Sequence, residues 1–334
     1  MEPGPVTPAD LDLSLDQSGA ARSESQWQMV LRRFRHHRMA MICLAVLVVM
    51  LAASLLLPFF VARPRAEVDR AYRYLPPLVT DPAGIFHLLG TDNLGRDYLI
   101  QLIYAARVSL TVSVTVSTVA TLIGLTLGLL AGYFGGWTDS IITRFLEFVA
   151  TFPLFVILLI LLAALLETEK PLSLPGPLIE VVAVITATPD HEAEKIALVI
   201  LGMAGLLWPS TARLMRGMVL SVREHLYIES ARALGASSLR IILKHAFPNA
   251  FPPLIVDYTL LMNTVLIYEA SLSYLGFGIQ DTPTWGNMLK AAEANMLAHP
   301  WMPLIPGLPI LLASLAINYV GDGMRDALDP RLRK

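Results

Sequence analysis

Six stretches of this chain run almost unbroken through apolar residues, each bounded by polar or charged segments. The cleanest is MAMICLAVLVVMLAASLLLPFFV, Met39 to Val61, which the basic cluster LRRFRHHR (Leu31 to Arg38) abuts directly. The others lie near 108–132, 140–166, 195–215, 251–275 and 302–321. A helix needs about 20 mainly apolar residues to cross a hydrocarbon core of about 30 Å. Backbone groups in lipid must be satisfied within the span, so the pattern predicts an all-α fold: a polytopic membrane bundle of six transmembrane helices. A cleavable signal peptide would have a shorter apolar core and a small-residue cleavage site. Met39 to Val61 therefore reads as an uncleaved first span.

Composition agrees. Of 334 residues, 55% are hydrophobic and only 16% charged, where a soluble domain carries roughly 25% charged residues. The net charge of −2 gives no bias toward nucleic acid. Cys43 is the single cysteine and permits no intrachain disulfide. Residues 1–25 are rich in Pro, Ser, Asp and Gly without an apolar face, and read as a disordered tail.

Lys and Arg near the span ends set the orientation. Arg32, Arg33, Arg35 and Arg38 precede the first span. Arg213, Arg216, Arg223, Arg232, Arg240 and Lys244 fall between the fourth and fifth, and Arg325, Arg331, Arg333 and Lys334 at the end. With six spans all three groups lie on one side, which is then the cytoplasm. The long segment 62–107 holds six arginines and five acids and is placed outside, since the rule weakens for such a loop. The expected layout is a cytoplasmic tail 1–38, a first helix 39–61, an external loop 62–107, a core of five helices 108–321, and a cytoplasmic tail 322–334. A segment at 222–249 interrupts that core.

Chemical machinery is absent. No GxxxxGK[ST] occurs, so the chain supplies no phosphate-cradling loop of that type. His191-Glu192 lacks its zinc-helix partner, because Lys195 stands where the second histidine belongs. No metal site, no cofactor site and no catalytic constellation is read, so the chain alone is expected not to be an enzyme. Polar groups within spans are costly in lipid and need an explanation. Arg144 and Glu147, three apart, read as an ion pair on one helix face. Asp257 and Asn263, six apart in the fifth span, either line a polar pathway or join helices by hydrogen bonds. Glu269, near the external end of that span, reads as a structural hydrogen-bonding group.

The segment ESARALGASSLRIILKHAFPN (Glu229 to Asn249) lies in the expected cytoplasmic stretch between spans four and five. Its apolar positions recur at helical spacing, Gly235 interrupts them, and Pro248 ends them. Two short helices are expected, Glu229–Leu234 and Ser237–Ala246. Gly235 between them permits positive φ or a close backbone approach. Ala231, Ala233 and Ala236 keep the surface shallow, and on spacing alone the segment reads either as a helix pair that inserts into a groove on another protein or as an ordinary interfacial helix between spans.

Glu229, Ala231 and Gly235, then His245, Phe247 and Pro248, resemble the E-A-A–three–G–nine–I-x-L-P signature of binding-protein-dependent importer permeases. Ser230 replaces the second-position alanine, His245 the isoleucine and Phe247 the leucine. LGTDNLGRDYLIQLIYAARVSL (Leu89 to Leu110) is similar to the entrance of the second span in the C-type permeases of dipeptide, oligopeptide and nickel importers of the ATP-binding cassette (ABC) class. AGYFGGWTD (131–139), TFP (151–153), EASLSYLGFG (269–278), WGNML (285–289) and GDGMRDALDPRLR (321–333) match that subfamily in the same order. One stretch departs from it: Leu166 to Lys195 is longer than expected. Its apolar centre, Leu178 to Thr186, is too short to span and reads as an external strand or a re-entrant element.

The resemblance implies a type I ABC importer permease fold in the bacterial inner membrane, with both termini cytoplasmic. It implies that Glu229, Ala231, Gly235, His245 and Pro248 couple the chain to its ATPases. The implied partners are a homologous second permease in a heterodimer, two ABC ATPase subunits that bind ATP and Mg, and an extracytoplasmic substrate-binding protein. The cargo is implied to be peptides or a related small solute such as nickel complexes. The competing reading, a secondary transporter or channel without ATPases, predicts an internal repeat. None is found, and it leaves 229–249 without a purpose.

Overall fold

The computed structural model of the chain describes residues 26–60, 70–166 and 174–328. The tail read at 1–25 lies outside the described residues, as do 61–69, 167–173 and 329–334. A short amphipathic helix α1 (Gln26–His36) leads into α2 (Arg38–Phe60), and the His37 ring accepts the Ala40 amide at 3.1 Å across the break. Five described helices or helix runs are long and apolar enough to cross a membrane, and one bent pair makes a sixth.

The first and last helices meet at one end of the bundle. Phe34 and Ala40 pack on Ala327 of α13 (Leu304–Leu328), and His37 lies 3.6 Å from Asp326. The two termini of the described chain therefore share a side, as an even number of spans demands.

The second span, α3 (Tyr98–Phe134), begins at Tyr98, inside the segment assigned from sequence to the external loop. It begins there because the residues ahead of it form a tight polar knot. Asp97 caps α3, accepting the amides of Leu99 at 3.0 Å and Ile100 at 3.2 Å. Its other oxygen meets His87 at 2.8 Å, and the far side of that ring faces Asp81 at 3.4 Å. His87 ends a hairpin of β1 (Val79–Thr80) and β2 (Phe86–His87), paired Val79 to His87. Asp92 gathers the amides of Leu94 and Arg96 and the Arg96 guanidinium at 2.7–2.9 Å. Thr91 bridges Tyr72 and Leu75. Thr91, Asp92, Arg96 and Asp97 of GTDNLGRD are thus spent on holding the entrance to α3.

The third span departs from the straight helix expected over 140–166. It is α4 (Gly136–Ala150) and α5 (Leu154–Leu166), bent by 86° at Thr151–Pro153. Pro153 has no N–H to donate back and disfavours helix at Phe152, so the turn breaks there. Its carbonyl then accepts Val156 and Ile157 to start α5.

Of the two readings of the extra stretch, the strand fails: Gly176–Thr186 is a helix, α6, of 11 residues, too short to span. β-branched content is a weak preference that packing overrides: α6 lies on α7 (Asp190–Leu207) with Val182 and Thr186 buried. Arg107 of α3, itself buried, donates to the Ile185 carbonyl and, at 3.0 Å, to that of Val184. A guanidinium satisfies the bare carbonyls at a helix C-terminus and opposes its dipole. The insertion is pinned to the bundle.

The fourth span, α7 with α8 (Pro209–Arg223), runs through Trp208 almost without interruption. Arg213, Arg216 and Arg223, counted from sequence with the loop, lie on this helix. Beyond it come α9 (Leu226–Ala233), the four-residue α10 (Ser238–Ile241), a π turn at Ile242–Ala246, and α11 (Phe247–Leu275). A short α12 (Trp285–Glu293) precedes α13.

The most extensive contact is between α3 and α8. Gly124, Gly128 and Gly132 form a ridge of small residues spaced four apart along α3. A Cβ on Gly128 would stand 2.6 Å from both the Met215 Cβ and the Ala212 carbonyl oxygen. One on Gly124 would meet the Thr211 Cβ at 2.7 Å, and one on Gly132 the Val219 Cβ at 2.7 Å. Lipid offers no hydrophobic drive between helices, so such close backbone packing stabilises the pair. Gly128→Leu is expected to push α8 off the ridge and cost about 3 kcal/mol, the upper part of the overpacking range. A detergent-solubilised melting curve should show a clear drop; an unchanged midpoint would mean that the helices do not touch here.

Candidate functional site

The residues read from sequence as coupling positions lie on an elbow between α8 and α11, and the elbow rests on a platform. Ile228 of α9, Ile241 of α10 and Ile242 of the π turn are buried against Tyr133 of α3 and Val219 and Val222 of α8. Arg232 lies over the Tyr133 ring, 5.9 Å from its centroid. Asp139, at the start of α4, takes a two-pronged ion pair from Arg216, with Nη2 to Oδ2 at 2.8 Å. These contacts fix the base from which the outer surface projects.

On that surface Glu229, Gly235 and Pro248 are exposed, and Ala231 and His245 partly so. Gly235 has φ +80° and follows Leu234, the cap of α9, as the left-handed stop that glycine provides. Its carbon faces open space, with nothing within 4 Å of an added Cβ. The glycine serves the turn and not a close approach within this chain.

Pro248 does not end a helix, as the sequence pattern suggests. It lies in the first turn of α11, and Ser238 to Leu275 runs as one helix of 38 residues. The π turn makes this possible: the Phe247 amide reaches back to the Ile242 carbonyl, and Pro248 needs no donor in the next turn. The second expected short helix is therefore the foot of the fifth span. His245 packs beside Tyr227, ring centroids 6.0 Å apart, and Asn249 donates to the Tyr227 hydroxyl and the His245 carbonyl. The two ends of the motif are tied together.

The surface is less shallow than its alanines suggest. Leu226 and Leu234 are 80% and 89% exposed, and Leu239 and Leu243 are exposed beside them. Periodicity places these leucines on a helix but does not say which face lacks a neighbour.

The polar span residues part company. Asp257 accepts the Thr211 hydroxyl of α8 at 2.5 Å and lines a cavity of about 420 Å³. Asn263 does not line it, and its buried Oδ1 has no hydrogen-bond partner among the described residues. Arg144 and Glu147 pair at 3.3 Å on an exposed face.

Glu269 is buried at the far end of α11, where Ser273 donates to it at 2.9 Å. The hydroxyls of Ser109 and Thr284 face the same carboxyl, whose Oε2 has no closed hydrogen bond. Around it, Ser109 accepts the Trp285 amide at 3.2 Å, and Thr284 with Asn287 forms a capping box that opens α12. The Asn287 side chain also donates to the Ile279 and Thr282 carbonyls. Glu269 ties α3, α11 and α12.

Bundle, polar knot and elbow define a polytopic, all-helical membrane protein. Two family models match the chain: the binding-protein-dependent transport system inner membrane component over residues 124–334, and the N-terminal TM domain of oligopeptide transport permease C over 25–77. Similar curated proteins include the glutathione transport system permease protein GsiD of Shigella flexneri serotype 5b (strain 8401), 38% identical over 308 residues, and that of Escherichia coli O157:H7, 37% identical. Each match covers 92% of this chain and 91% of the relative. A chain of the inward-facing MetNI methionine ABC transporter is 19% identical and covers 69% of this chain and 96% of its own, with a TM-score of 0.46. The chain belongs to the family of binding-protein-dependent transport system inner membrane components. It is an ABC importer permease, a transport component and not an enzyme, and ATPase and binding-protein subunits complete such an importer.

Glu269→Ala should leave three elements without their shared acceptor and destabilise the purified protein by roughly 1–3 kcal/mol. Glu269→Gln, which keeps an oxygen in place, should cost less than half of that. Equal melting temperatures for wild type and Glu269→Ala would show that the junction holds without it.

Proposed function

We propose that this chain is one of two homologous permease subunits that import a peptide-like solute, and that segment 222–249 is where an ATPase subunit docks. The observation that supports docking is the exposure of Leu226, Leu234, Leu239 and Leu243 on either side of Gly235. Exposed apolar side chains clustered on a surface are a mark of an interaction site. These leucines lie at the end where the described termini meet, since Gly321 near the end of α13 rests on Thr259 in the lower part of α11. The Lys and Arg distribution supports a cytoplasmic position for that end, with the hairpin and α12 facing the binding protein.

A peptide-like cargo is supported by the relatives named as glutathione transport permeases and by the oligopeptide permease model over the N-terminal helices. On this reading the ATPases close on ATP and move the elbow, and the bundle switches between inward- and outward-facing states. Binding protein, second permease and ATPases together make the importer.

Two substitutions separate the turn from the surface it presents. Gly235→Ala forces an L side chain into left-handed backbone at a cost of roughly 1–2 kcal/mol, with no clash inside the chain. Gly235→Leu adds the same strain plus bulk that only a docked partner would feel. Uptake and ATPase co-purification, at matched membrane abundance, should therefore fall further for Gly235→Leu than for Gly235→Ala. Leu234→Asp should release the ATPase outright, whereas Glu229→Ala should act mildly, since one exposed charge contributes about 1 kcal/mol or less. Full ATPase retention by Leu234→Asp would sink the proposed docking surface.

A further inference from the structure

Arg213 is the charge that the fold leaves unaccounted for. It lies on the membrane-crossing run Asp190–Arg223, about 15 Å along the helix from Arg223, and its side chain is exposed. Among the described residues no carboxylate forms an ion pair with it. Its neighbour Arg216 is by contrast committed to Asp139. Hydrocarbon does not tolerate an uncompensated guanidinium, so ionisable side chains inside spans face a bundle interior or water.

What Arg213 does face is the cavity of about 420 Å³ that Asp257 also lines. The cavity opens where three helices are irregular or polar: at Phe152 in the α4–α5 bend, at Pro209 where α7 joins α8, and along α11 beside Asp257. Thr211 holds the Asp257 carboxylate from behind, and Asp257 and Arg213 make no ion pair with each other. One basic and one acidic side chain thus share a mainly apolar pocket with no ion pair between them. A pocket of this kind matches a small molecule that carries both charges, and its volume accommodates a ligand the size of a di- or tripeptide.

We propose that this cavity is a transient zwitterion site on the conduction path, in which Arg213 receives the terminal carboxylate of a peptide-like solute and Asp257 its ammonium. The proposal rests on the importer reading above. Its low charge count suits conduction, which requires a site weak enough to release what it holds. Ser210, exposed beside Arg213 and lining the same cavity, supplies a reporter position.

The test uses Ser210→Cys in a Cys43→Ser background, in the transporter assembled with its partner subunits in proteoliposomes. The thiol is titrated with an anionic sulfonatoethyl and a cationic trimethylammonioethyl methanethiosulfonate. Both should react. Arg213→Gln should slow the anionic reagent about threefold or more, as removal of one nearby charge in a wet, partly screened site predicts. Asp257→Asn, which keeps the Thr211 hydrogen bond, should slow the cationic reagent to a similar extent. Millimolar dialanine should protect the thiol, and N-acetyl-dialanine amide should not.

Failure of both reagents to react would mean that lipid or the second permease covers this face, and would overturn the proposal. So would rates that neither charge removal alters, or equal protection by the capped dipeptide. ATPase co-purification with the Ser210→Cys assembly reports separately on the importer reading. An intact assembly whose cysteine is inert would sink the zwitterion site alone.

Discussion

Everything at the elbow end of this protein hangs on one close approach, that of α8 to the glycine ridge of α3. Water would drive such helices together by burying their apolar faces, but lipid tails are as apolar as leucine and supply no such drive. Contact has to come from shape. Gly124, Gly128 and Gly132 remove the side chains that would keep the backbones apart, and Thr211, Ala212, Met215 and Val219 fill the space. That fit brings Arg216 within reach of Asp139 and places Tyr133 beside Val219 and Val222. The isoleucines of the elbow then have a floor to bury against. Without the ridge, the exposed leucines around Gly235 would have no fixed position to present to a partner.

The opposite end is held by a different kind of force. There the backbone leaves the helices, and its polar groups need partners that the bundle does not provide. Asp92, Asp97 and Thr91 supply them at the entrance to α3, and Ser109, Thr284 and Asn287 at the exit of α11. The motifs by which the chain resembles its family are, at this end, mostly architectural. His87 between Asp81 and Asp97 is typical: three titratable groups engaged in tying a hairpin to a helix start.

Much of this is legible in the sequence, for identifiable reasons. A membrane span declares itself by length and apolarity alone, so six apolar runs suffice to predict the bundle. Boundaries are harder to read. Tyr98 lies amid polar residues, and only the cap from Asp97 shows where α3 begins. Pro153 bends its span while Pro248 does not stop its helix; the difference lies in a π turn that no periodicity encodes. In the insertion, Pro177 stands in the first turn of α6, where proline favours a helix start. The Val and Ile that follow it point to a strand, and packing on α7 decides for the helix. The four-residue spacing of Gly124, Gly128 and Gly132 is plain in the sequence, yet only the partner helix gives it meaning. Spacing pairs Asp257 with Asn263, but the group that shares the Asp257 cavity is Arg213. Arg213 falls inside the apolar run near 195–215, yet the count of basic residues groups it with the loop that follows, and only the helix through Arg223 shows how far it stands from that loop.

The two ends of the elbow explain how a small surface can act on the whole bundle. One arm joins α8 through Arg223, and the other is continuous with α11 from Ser238 onward. A helix transmits displacement along its axis because its hydrogen bonds resist stretching, so on the proposed docking a push at Gly235 would reach both. These are the helices that bear Arg213 and Asp257 on one cavity. Gly235 between the arms is in left-handed backbone, a conformation glycine adopts without steric cost. On the proposed reading, the geometry that receives force from an ATPase therefore also sets the distance between the two charges that hold the solute, and release follows from separating them.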